Sequence, residues 1–137
     1  MRILAIDYGK KRIGLAVSDP LGFTAQGIET IPNLNQKQVI TGLLKICRQW
    51  EAAEIVIGLP INMNGTYGPK VSEIMDLIPV LEKELGLPIK TLDERLTSRE
   101  AGRLMIAQGL SRKRQKENSD RLAATLILQM FLELRRR

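Results

Sequence analysis

The 137-residue sequence contains no histidine. That excludes Ser–His–Asp and Cys–His nucleophilic catalysis and the HExxH zinc proteases, all of which depend on imidazole. A single cysteine, Cys47, excludes a disulfide framework and any multi-cysteine zinc site, and fits a reducing, cytoplasmic setting. Any metal must then be held mainly by oxygen, which selects hard cations such as Mg²⁺ or Mn²⁺. Aromatic residues are only 4% of the chain, too few for the stacking platforms of single-strand binders. No apolar run approaches the roughly 18 residues of a membrane span, so no membrane partner is expected. The opening MRILAIDYGK has an acid at position 7 and no small-residue cleavage pattern, and it does not read as a signal peptide.

What is present fits one globular domain over residues 1–137 with a core large enough to stand without staples. The net charge of +6 is unevenly placed. Residues 1–98 carry 11 basic and 11 acidic side chains, whereas 99–137 carry 10 basic and 4 acidic. The densest cluster is Arg112, Lys113, Arg114 and Lys116, the electrostatic footprint of a polyanion binder. Arg135–Arg137 are read as a frayed basic tail that favours the negative end of a last helix.

Hydrophobic patterning predicts strands over 2–8, 12–18, 25–31, 54–59 and 88–94. Helices are predicted over 36–50, 69–86 with Pro79 kinking or splitting it, about 98–108 behind a Thr97–Glu100 capping box, and from Asn118 or Ser119 to about 134. Residues 109–117 read as a basic connector. The expected order, β-β-β-α-β-α-β-α-α, gives an α/β fold: a five-stranded mixed sheet, an antiparallel meander followed by strands parallel to the first, with helices on both faces.

Four acids stand where burial should be costly. Asp7 ends an apolar strand. Asp93 and Glu94 close another, and their alternation allows at most one to share the side of Asp7. Asp120 precedes Ala123, Ala124, Ile127 and Phe131 at helical spacing, which sets it on or beside the packed stripe of the last helix. Each has an ordinary structural alternative: a turn acceptor for Asp7, an Arg95 pair for Asp93 or Glu94, a helix N-terminal acid for Asp120. Parallel strands, however, deliver their ends to one edge of a sheet, where α/β proteins build sites. Carboxylates converging there need a cation or protonation, and two hard cations about 4 Å apart can activate water and stabilise a leaving oxygen in phosphodiester cleavage.

Asp7-x-Gly9-x-Lys11-Arg12-Ile13-Gly14-Leu15-Ala16-x-Ser18-Asp19 resembles the opening signature of the YqgF/RuvX family. Gly58-Leu59-Pro60 with Asn62, Asn64-Gly65 and Gly68-Pro69 is similar to its second motif, Asp93-Glu94-Arg95-Leu96-Thr97 to its third, and Asp120 with Ala123-Ala124 to its fourth. The resemblance runs in order from residue 1 to about 134. It implies a ribonuclease H-like fold and a Holliday-junction-resolvase-like nuclease processing the 5′ end of pre-16S rRNA. It further implies a divalent metal and the catalytic, metal-holding acids Asp7, Glu94 and Asp120, with Asp93 a possible fourth.

Supporting roles are assigned to the phosphate-facing Gly9, Lys11 and Arg12, to Asn62 and Asn64 at the substrate backbone, to Arg95, and to the cluster Arg112, Lys113, Arg114 and Lys116. Gly9 and Gly14 alternatively serve turn and strand packing, and Asn62 and Asn64 an Asx turn. The expected partner is nucleic acid: pre-rRNA first, with ribosomal precursor particles, and branched DNA as the alternative. A junction resolvase would need a symmetric dimer; monomer and homodimer both stay open. A non-catalytic RNA-binding or ribosome-binding module is the reading from another class, and a nucleotide-binding protein with an actin-like phosphate hairpin is a further one.

Overall fold

A computed structural model describes residues 1–97 and 112–136, with side chains for 1–97 and 122–136. In chain order the elements are β1 (Arg2–Tyr8), β2 (Arg12–Ser18), β3 (Ala25–Gly27), β4 (Ile31–Pro32), α1 (Gln36–Trp50), β5 (Ala52–Leu59), α2 (Pro69–Leu85), β6 (Ile89–Asp93), a 3₁₀ turn (Glu94–Leu96) and α3 (Arg112–Arg136). Among the described residues these strands form one sheet in the order β3-β2-β1-β5-β6, with β4 also paired to β2. β1 and β2 are antiparallel, whereas β1–β5 and β5–β6 are parallel. The mixed sheet expected from the sequence is therefore present, in six strands instead of five.

Strand periodicity sorts the core. Leu4, Ile6, Leu15, Ile55 and Ile57 face one side and pack with Val39, Leu43, Ile46 and Cys47 of α1 and Val71, Ile74 and Leu81 of α2. Ile3, Ala5, Ala16, Val56 and Leu92 face the other side and pack under Ala124, Ile127, Leu128 and Leu132 of α3. Alternation along a strand and the 3.6-residue helical repeat are together sufficient to produce this sandwich. Cys47 lies in the core as expected, and burial pushes its thiol up to about 11. No helix among the described residues is long and apolar enough to cross a membrane.

Four boundaries differ from the sequence reading. The strand expected over 25–31 is interrupted: Ile28 turns its side chain into the core and keeps a hydrogen bond to the Leu15 carbonyl, leaving β3 and β4 as separate short pairings with β2. Pro79 does not split α2: the helix runs through it, held by Ile74, Leu77, Ile78 and Leu81 buried on both sides of it. Strand β6 stops at Asp93, where the Asp93 carboxylate accepts from the Arg95 amide and starts the 3₁₀ turn. The last helix is already formed at Arg112, six or seven residues before the expected cap, because Arg, Lys, Gln and Glu are strong helix formers and no glycine or proline interrupts them. The connector assigned to 109–117 is thus helical from 112 onward. The helix expected over 98–108 lies outside the described residues.

Candidate active site

The parallel registers Ile6↔Ile57 and Leu59↔Asp93 bring the C-terminal ends of β1, β5 and β6 to one edge of the sheet. Asp7 has the parity of Ile3 and Ala5, so it stands on the α3 face, and Gly58 shares that face through Val56. The 3₁₀ turn carries Glu94 back over Gly58: a Cβ built on that glycine would lie 2.7 Å from Glu94 Cγ and 2.6 Å from Ile127 Cδ1. Gly58 is therefore the gap through which the Glu94 side chain reaches the site.

Glu94 meets Asp7 there, and the two carboxyl groups share a hydrogen bond. Its carboxyl is pushed up to about 8, first by burial, then by the hydrogen bond to Asp7 and the charge of Asp7. The charge of Asp93 adds to the rise, and Lys70 opposes it. A proton held between two carboxylates occupies the place a cation would take. The pair offers only oxygen donors at an open sheet edge, which suits a hard divalent ion. Among the described residues no third His, Cys, Asp or Glu joins the two. Asp120 belongs to α3, and its side chain lies outside the described ones.

Asp93 is turned elsewhere. Its carboxylate accepts from Nε and Nη2 of Arg95, the latter at 2.6 Å, and this pairing is the largest cause lowering its pKa. Arg95 also reaches the carbonyls of Asn62 and Met63 at 3.5 Å, so it straps the loop after β5 to the end of β6. Within that loop Asn62 Nδ2 donates to Thr66 Oγ1, and Asn64 Oδ1 accepts from the Thr66 amide and hydroxyl. Both asparagine side chains shape the loop, as in an Asx turn. Gly9 closes the β1–β2 turn: a Cβ there would run into the Arg12 carbonyl oxygen, and the Gly9 carbonyl accepts from Asn33 Nδ2 at 2.8 Å. Lys11 is exposed on that hairpin and Arg12 is half-buried beside it. Arg112, Lys113, Arg114 and Lys116 fall in the first turns of α3, with side chains outside the described ones.

Two participants were not singled out from sequence. Gly58 was read only as part of the strand 54–59 and of the second family motif, although a glycine inside the apolar run EIVIGL signals a close approach. Lys70, at the start of α2, carried no signal beyond its charge.

The family model described as RuvX, Holliday junction resolvase, matches residues 1–134. The chain belongs to the RuvX family. A protein of Clostridium acetobutylicum named "Putative pre-16S rRNA nuclease" is 49% identical over 132 residues, covering 96% of this chain and 98% of that one. A relative of the same name from Syntrophomonas wolfei is 44% identical over 97% of this chain and 94% of its own. Among solved structures, Thermus thermophilus RuvC in complex with a Holliday junction substrate superposes with a TM-score of 0.58 at 18% identity, over 99% of this chain and 96% of RuvC. The fowlpox virus Holliday junction resolvase gives 0.59 at 13% identity, over 98% and 99%. The RuvX chain thus has the ribonuclease H-like fold of these resolvases.

Proposed function

We propose that this RuvX-family chain is a divalent-metal-dependent nuclease that hydrolyses phosphodiester bonds in structured RNA and trims the 5′ end of pre-16S rRNA within ribosomal precursor particles. The observation that carries the reading is the Asp7–Glu94 pair, drawn from the ends of two strands and given room by Gly58. The names of the relatives supply the RNA assignment. Asp7 and Glu94 would hold the metal, with Asp120, one helical turn before the buried Ala124, as the third ligand. When bound, a divalent cation at such a site lowers the pKa of water and stabilises charge on the leaving oxygen.

The chain's own residues do the rest. Glu94 holds the proton it shares with Asp7, and deprotonated its carboxylate would be a ligand for the cation. Asp93 is spent on Arg95 and holds the loop at 60–68 beside the site. Lys11 and Arg12, next to Asp7 in the hairpin, neutralise the phosphate backbone, and Arg112, Lys113, Arg114 and Lys116 extend that contact along α3.

The test incubates wild type and Asp7→Asn with precursor rRNA and with a four-way DNA junction, with and without Mn²⁺. Expected is RNA cleavage by wild type in the presence of metal, and none by Asp7→Asn, which still folds and binds RNA. Cleavage of the DNA junction alone overturns the substrate, and equal cleavage by both proteins removes Asp7 from the mechanism.

A further inference from the structure

Beside the acid pair, on the α1/α2 side of the same sheet edge, lies a cavity of about 370 Å³ lined by Tyr8, Lys10, Asn33, Pro69, Lys70 and Glu73. Tyr8 follows Asp7 directly but points to the opposite face of β1, where it packs on the core. One wall is the β1–β2 turn, held by Asn33, whose side chain donates to the Gly9 carbonyl and whose amide donates to the Lys11 carbonyl at 2.9 Å. The other wall is the first turn of α2, which has no acid and no side-chain cap. Lys10 and Lys70 are exposed, and neither closes an ion pair among the described residues. Lys70 is near enough for its charge to act on Glu94, so the cavity and the acid pair share one electrostatic neighbourhood.

We propose that this cavity is a nucleotide subsite for the substrate strand, in which Lys10 and Lys70 hold the phosphate adjoining the scissile one; the inference rests on the nuclease reading above. The volume is at the small end of the about 300–1,000 Å³ range of ligand clefts, suited to one nucleotide. Two cations, Lys10 on the β1–β2 turn and Lys70 on the first turn of α2, can grip one phosphate from two sides, and Tyr8 gives a sugar or base an aromatic wall. A strand that enters here passes from a cationic pocket on one face of β1 to the carboxylates on the other. Glu73, the acid lining the cavity, opposes the phosphate and limits its affinity.

The experiment uses the full chain and an RNA spanning the 5′ end of 16S precursor rRNA. Binding is measured in the Asp7→Asn background across a salt series, and cleavage kinetics are measured with Asp7 intact, for Lys10→Ala/Lys70→Ala, Lys10→Arg/Lys70→Arg and Glu73→Gln. The double alanine variant is expected to raise KM about tenfold with kcat changed less than about twofold, and to flatten the slope of log affinity against log salt by about one, the loss of one phosphate contact. The double arginine variant restores both, and Glu73→Gln lowers KM. A structural role for the lysines would not be rescued by arginine and would not give Glu73→Gln the opposite sign. An unchanged KM and salt slope in the double alanine variant overturns the subsite. If wild type cleaves no RNA, the nuclease reading falls, and the binding slopes still decide whether the cavity takes a phosphate.

Discussion

A methyl group added at Gly58 would stand 2.6 Å from Ile127 Cδ1 and 2.7 Å from Glu94 Cγ, both closer than carbon atoms pack. The Ile127 contact is with the end of a buried side chain, whereas Glu94 meets the methyl along its Cγ and Cδ, so Glu94 is displaced as Ile127 repacks. Gly58→Ala is expected to cost about 1–3 kcal/mol of stability, as overpacking does. Cleavage should fall by more than tenfold, checked by thermal melts and turnover on the same preparation. Glu94 makes a second expectation. In the metal-free fold its pKa is near 8, against an ordinary 4.5, so the folded chain holds this proton more tightly than the unfolded chain. Its contribution to stability is complete below about pH 4.5 and is lost as pH rises through 8. The melting temperature of chelated protein should therefore fall between pH 5 and pH 9. Glu94→Gln should flatten that fall, and Mn²⁺ should offset it by replacing the proton. A pH profile identical for wild type and Glu94→Gln would count against the shared proton.

Among the elements, α2 tolerates what its sequence advises against. Pro79 lies inside the helix, where it removes a backbone donor, yet Ile74, Leu77, Ile78 and Leu81 are buried around it and outweigh that cost. Pro79→Ala should therefore raise stability by about 2 kcal/mol, the helix gain of about 3 being reduced by the extra freedom of the unfolded chain, about 0.4–1. Denaturant unfolding checks the sign. Capping signals set two helix ends by local chemistry: Asn35 caps α1 by accepting from the Gln38 amide, and Gly86 ends α2 in the left-handed region at φ 69°. They failed at α3, where Asn118 and Ser119 looked like caps but the helix had already begun among charged residues. Arg95 shows an element joined by one side chain, since it ties β6 to the loop after β5 while occupying the acid next to Glu94.

On the scale of the whole molecule the two ends of the sheet differ in kind. The C-terminal end of β1, β5 and β6 gathers Asp7 and Glu94. The opposite end is closed by Arg135, which bonds both Glu54 oxygens at 2.6 and 2.7 Å and lies 4.7 Å from the Phe131 ring centre. Arg136 sits over Phe23 and donates to the Leu132 carbonyl. Arg135 ties α3 to β5 and Arg136 sets it against the loop after β2, so charge at the end of the helix is partly structural. Asp19 is a similar case: part of the opening signature, it accepts from the amides of Leu21, Phe23 and Thr24 and orders the loop after β2.

Sequence alone determined the order of the described strands and helices apart from the break within 25–31, the two apolar faces of the sheet, the exclusion of imidazole and zinc–thiolate chemistry, and the position of Asp7 at the end of a buried strand. These follow from periodicity and residue chemistry, which are local. Which of Asp93 and Glu94 turns to Asp7 was decided only by the tertiary structure. The strand ends one residue early, Arg95 captures Asp93, and the absence of a side chain at Gly58 opens the path for Glu94. That choice depends on three segments packed side by side, and no spacing within any one of them encodes it.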